Sequence, residues 1–154
     1  MMDQILVSMA ATIAFAVLFH VPRSEYLLCG INGAIGWMVY LFCISKGSGA
    51  VLASVWAALA LTLIARILSA VRKMPSTVFL ITGIFTLVPG AGIYYTSYYL
   101  IMNDLEQCAA KGMETFKIAG AIVLGIIFGL MLPQSWFNRL GRVYSKRRSA
   151  NEKI

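Results

Sequence analysis

Charge is scarce in this chain. Of 154 residues only 12% are Asp, Glu, Lys or Arg, where a soluble domain carries about a quarter. Histidine occurs once, at His20, and the three cysteines (Cys29, Cys43, Cys108) form no C-x-x-C pair. That supply excludes a zinc site of the usual build, and no metal or cofactor is expected. An odd number of thiols, two of them at or inside apolar runs, reads as inert buried cysteine and not as a disulfide framework. Acidic residues are missing from the interior of every apolar run. This argues against a carboxylate proton relay or a sodium site within the chain. No basic segment precedes the first apolar run, so Met1-Met2-Asp3-Gln4 does not open a signal peptide. Long polar stretches are also lacking before residue 136, which leaves no room for a separate soluble domain.

What fills the chain is apolar: 60% of residues are hydrophobic. Five runs stand out, at 5–19, 28–45, 50–71, 78–102 and 116–132. A spanning helix takes about 20 residues. The expected fold is an all-α membrane protein with five transmembrane helices, the fourth broken at a central Pro-Gly. Residues 1–135 form the membrane domain and 136–154 a basic tail. Five crossings put the termini on opposite sides. One side collects nine Lys or Arg: Arg23, Arg72, Lys73, Arg139, Arg142, Lys146, Arg147, Arg148 and Lys153. The other side collects three, Lys46, Lys111 and Lys117. The positive-inside rule then predicts a cytoplasmic C-terminus and an outside N-terminus. The net charge of +7 thus reports topology and not a nucleic-acid partner. In the tail, Trp136, Phe137, Leu140, Val143 and Tyr144 recur at helical spacing among basic residues. This predicts an interfacial helix on the anionic inner leaflet of the bilayer.

Small residues repeat at close spacing: Gly30, Gly33 and Gly36, then Ala53, Ala57 and Ala60, then Gly125-Ile126-Ile127-Phe128-Gly129. Such faces let backbones approach in a bilayer. The helices are expected to pack on one another, on a further copy of the chain, or on a partner.

The fourth run holds Leu87-Val88-Pro89-Gly90-Ala91-Gly92-Ile93-Tyr94. Pro89 cannot continue a helix but suits a restart at its first position. The N–H groups of Gly90, Ala91 and Gly92 would then lack partners. A helix start carries partial positive charge and favours anions. The spacing predicts a site for a small anionic or zwitterionic metabolite, with Tyr94 and Thr86 beside it. A plain proline kink, bridged by Thr86 or a neighbouring helix, is the competing reading. Tyr95 and Tyr99 read as an aromatic belt. Asn32 is the one amide deep in a run, suited to an interhelical bond or to solute. Arg66 lies inside the third run. Its two readings are snorkelling to the inner interface and drawing anions inward.

Pro89-Gly90-x-x-x-Tyr94, with His20-Val21-Pro22 closing the first run, a Gly-rich second run and Lys73-Met74-Pro75 before the fourth, resembles the threonine/serine exporter family. The likeness is to the small free-standing subunit of the split form, which corresponds to the C-terminal membrane half of the fused exporters. The resemblance implies a five-helix bundle working with a larger membrane subunit of the same family. It implies export of threonine and serine, or of four-carbon dicarboxylates such as succinate, across the bacterial inner membrane. Pro89, Gly90 and Tyr94 are the positions it carries over. Against this exporter reading stand a non-transporting assembly subunit and a membrane enzyme. For the enzyme, Asp104, Glu106 and Glu114 are the sole acidic cluster, and their spacing fits no metal motif.

Overall fold

The computed structural model describes residues 2–133. The 136–154 tail and its expected interfacial helix lie outside the described residues. Every regular element among those described is helical: α1 (Met2–Leu18), a 3-10 turn (Arg23–Glu25), α2 (Tyr26–Ser45), α3 (Ala50–Arg72), α4 (Ser76–Ile84), α5 (Gly90–Ile101) and α6 (Leu105–Met131). Three stretches are long and apolar enough to cross a membrane, Arg23–Ser45, Ala50–Arg72 and Leu105–Met131, and Met2–Leu18 is a shorter apolar helix. The run at 78–102 is divided between α4, of 9 residues, and α5, of 12. Each is too short to span alone.

Helix ends are set locally. His20, Lys73 and Asn103 take left-handed backbone, with φ of 53°, 55° and 58°. That conformation turns the chain out of the helix while returning its N–H groups to the last carbonyls. At α3, the N–H of Lys73 and, at 3.3 Å, that of Met74 both donate to the Ser69 carbonyl. Pro75 follows and cannot extend the helix.

The last helix starts earlier than the apolar run predicted, at Leu105 and not near 116. The Asp104 carboxylate caps it by accepting from the Gln107 N–H at 3.1 Å, a contact worth about 1 kcal/mol. Glu106 adds favourable charge in the first turn. Ala, Lys, Glu and Met then supply helix propensity without apolar continuity. Lys111 and Glu114 are therefore helical residues, not loop residues.

Packing rests on small residues. A methyl group added at Gly36 or at Gly83 would meet Leu61 Cδ1 at 2.9 Å. Leu61, 0% exposed, thus fills the place where α2, α3 and α4 converge. Ser8 Oγ donates to the Gly33 carbonyl at 3.2 Å, joining α1 to α2. Gly125 lies against Val55 and Ala58, and Gly129 against Thr62, so α6 runs parallel to α3. Gly92 faces Thr115 and Gly112 faces Thr96, so α5 runs antiparallel to the first half of α6.

These registers fix depth. We call upper the end of the bundle that carries the start of α1 and the 46–49 loop. At 1.5 Å per residue, α6 extends on the order of 15 Å above the start of α3. The helix α5 packs on that upper part of α6 and has no buried residue. The Pro89-Gly90 segment shares a cavity with Ser54, one turn into α3, well above Leu61.

At the lower end, Glu25 is 2% exposed and accepts from Arg72. Arg72 Nε lies 2.9 Å from both carboxylate oxygens, and its Nη2 also reaches Oε1. The pair staples the α1–α2 connection to the end of α3. Removing one partner of a buried pair leaves an uncompensated charge. Arg72→Met should therefore cost about 3 kcal/mol in a detergent melt. The double change with Glu25→Gln should recover part of that loss. A double variant no more stable than Arg72→Met would show the two groups to be uncoupled.

Candidate functional site at the start of α5

The chain reverses out of α4 through two tight turns. Thr86 N–H donates to Gly83 O at 3.2 Å and Leu87 N–H to Ile84 O at 2.8 Å. The Thr86 hydroxyl also donates to Gly83 O, at 2.7 Å, so the last two carbonyls of α4 have partners. Pro89 then takes φ −75° and ψ 63°, and Gly90 N–H donates to Val88 O at 2.7 Å. This is an inverse γ-turn with proline at its centre. Two expectations change. Pro89 is the residue before the helix, not its first residue. The Gly90 N–H is already used, so Ala91 and Gly92 are left as the N–H groups without an acceptor at the start of α5. Ile93 N–H closes the first helical turn onto Pro89 O at 3.0 Å.

The start of α5 opens on a cavity of about 460 Å³. That volume suits a small metabolite. Thr86, Pro89, Gly90, Ala91 and Gly92, all expected at the site, line it together. Tyr95 joins them from further along α5, and other helices add Trp37, Tyr40, Ser54, Lys111, Glu114 and Thr115. Lys111 Nζ and Glu114 Oε2 pair at 2.9 Å, with side chains 44% and 54% exposed. A pair that exposed contributes little stability. It does set a positive and a negative charge on the cavity's rim.

The other expected residues lie elsewhere. Tyr94 is 63% exposed, stacks on Tyr98 at 6.4 Å and is not among the lining residues, whereas Tyr95 is. Asn32 is fully buried away from the cavity, and its Nδ2 donates to the Phe79 carbonyl at 2.9 Å, tying α2 to α4. Arg66 is 4% exposed and its Nη1 donates to the carbonyls of Gly129 and Leu130 at 2.8 and 3.1 Å. These belong to the last turn of α6, whose carbonyls have no helical partners. A guanidinium there satisfies them and complements the helix dipole. It is held at the lower end, remote from the cavity near Ser54. Cys29 is buried, Cys43 and Cys108 half-buried, and all three are free thiols. Among the described residues no group of His, Cys, Asp or Glu could hold a metal.

Sequence reasoning passed over Trp37, Tyr40, Ser54 and Thr115. Nothing in their own neighbourhoods marks them; each reaches the site through the register of its helix. Lys111 and Glu114 were legible as charges but were placed in a loop.

Apolar helices close-packed through glycine, with a helix start opening on a metabolite-sized cavity, make up a membrane transport protein. The chain belongs to the threonine/serine exporter family: the family described as Threonine/Serine exporter, ThrE, matches residues 4–132. That family is one of transporters, not of enzymes. No curated protein and no solved structure matches the chain.

Proposed function

We propose that this chain is a membrane subunit of a secondary transporter that exports small carboxylate-bearing metabolites. Threonine, serine and succinate-like dicarboxylates are the candidates. The observation that carries the reading is the cavity at the start of α5. Two N–H groups without acceptors and the Lys111 ammonium stand on its wall. A carboxylate is the ligand that such donors recognise.

A larger partner subunit of the same family completes the pathway. The exposed surface of α5 supports this. Ile93, Tyr94, Leu100 and Ile101 are all more than half exposed. They stand at the depth of Lys111 and Glu114, where lipid chains give poor cover. In this reading α4 and α5 together make the fourth of five crossings. The nine-to-three split of basic residues supports a bacterial inner-membrane protein with its N-terminus outside and its C-terminus in the cytoplasm.

Reconstitution tests it. Vesicles holding both subunits should release loaded threonine, serine or succinate at least tenfold faster than vesicles holding the partner alone. Equal release would assign this chain the assembly role instead, which the exposed α5 also accommodates.

A further inference from the structure

Two cavities meet at Trp37 and Thr86. One is the cavity at the start of α5. The other, of about 420 Å³, runs along α1 from Asp3 to Phe15 and reaches Phe85. Trp37 and Thr86 are the residues that line both.

Trp37 carries an unresolved debt in hydrogen bonding. Its ring stacks on Tyr40, with centroids 5.2 Å apart and planes 27° apart. In that pose the indole Nε1 is out of reach of water and has no acceptor. A buried tryptophan N–H ordinarily finds a partner, and leaving it without one is costly. Three of the hydroxyls around the first cavity are already committed as donors. Thr86 donates to Gly83 O, Ser54 to Ala50 O and Thr115 to Lys111 O. The N–H groups of Ala91 and Gly92 at the start of α5 and of Trp37 in the wall are left over, beside the Tyr40 and Tyr95 hydroxyls and the Lys111 ammonium.

We propose that Trp37 is a solute-binding and gating residue. Turning out of its stack on Tyr40, the indole brings its N–H into the first cavity to donate to the solute's carboxylate. The same turn opens the wall between the two cavities. A bound acceptor removes the cost of the orphaned donor in the turned state only. This differential interaction is what shifts the balance toward the open wall. The proposal rests on the exporter reading above.

Trp37→Phe keeps a ring for the stack and deletes the donor. In vesicles holding both subunits, its half-saturating concentration for L-threonine, L-serine or succinate should rise about tenfold, the loss expected for a hydrogen bond to a charged group. A purely structural tryptophan would leave half-saturation within twofold of the parent, and that result overturns the proposal. Gly90→Leu, run alongside, separates the two readings. If Gly90→Leu is inactive while Trp37→Phe is normal, the Trp37 assignment alone falls. If both export normally, the exporter site itself is misplaced. Should Trp37→Phe fail to insert, the chain with Trp56→Phe and Trp136→Phe keeps Trp37 as its single tryptophan. A saturable change in its emission on adding the same three probes supports the proposal, and no change overturns it.

Discussion

Gly90→Leu should abolish export while the chain inserts and accumulates as before. Gly90 is the first residue of α5 and has an ordinary negative φ, so a side chain brings no backbone strain. A Cβ built there meets nothing within 4 Å. Leucine also has better helix propensity than glycine, by up to about 1 kcal/mol. Folding is therefore spared. The cavity is not, because Gly90 lies in its wall next to the free N–H groups of Ala91 and Gly92. An isobutyl group would occupy the space that the proposed function gives to a carboxylate. Efflux from loaded vesicles should fall by more than tenfold at unchanged membrane abundance. Gly90→Ala should keep most of the activity, since one methyl leaves the cavity open. Normal efflux by the leucine variant would move the solute away from α5.

Gly125→Leu should have the opposite profile, losing the protein itself. Even a methyl at Gly125 would lie 2.5 Å from the Val55 carbonyl oxygen, 2.8 Å from Ala58 Cβ and 3.1 Å from Leu59 N. Two of those atoms are backbone and cannot swing aside. The helices α3 and α6 would have to separate, which also pulls the last turn of α6 from Arg66. Overpacking typically costs 1–3 kcal/mol, and here the clash begins at Cβ, so about 3 kcal/mol or more is expected. Membrane abundance and melting temperature in detergent should both drop. Gly120→Leu is the control. It changes the same residue type in the same helix, but a Cβ there meets nothing within 4 Å, and it should behave like the parent. Equal stability of the two variants would mean that α6 does not pack on α3 in this register.

The contrast between these glycines shows what a sequence can hold. Gly120 and Gly125 look alike in one apolar run. They differ in what stands opposite, and that depends on a helix far away in the chain. Arg66 makes the same point. A lone arginine six residues from the end of its helix reads as a snorkelling side chain. Its Nη1 donates to carbonyls 63 and 64 positions later. They are available only because α6 ends beside α3.

The chain's apolar, helical character and its family were legible because they rest on local pattern: continuous apolar runs, basic residues between them, and the Pro-Gly segment. The contiguous stretch 89–92 and Thr86 were found as one group for the same reason, since neighbours in sequence stay neighbours in space. The start of α6 was missed because a capped amphipathic turn carries no apolar run. The faces of α5 were decided by tertiary contact. Gly92 and Gly112 let α5 lie on α6 in one rotational phase, which turns Tyr95 to the cavity and Tyr94 outward. Trp37 and Lys111 entered the site in the same way. The sequence by itself determined that the chain is built of apolar helices and where most of them lie, because backbone preferences and burial in lipid act residue by residue. The tertiary structure decided which side chains share a cavity and how deep it lies, because helix register and rotation are set by close packing between segments distant in the chain.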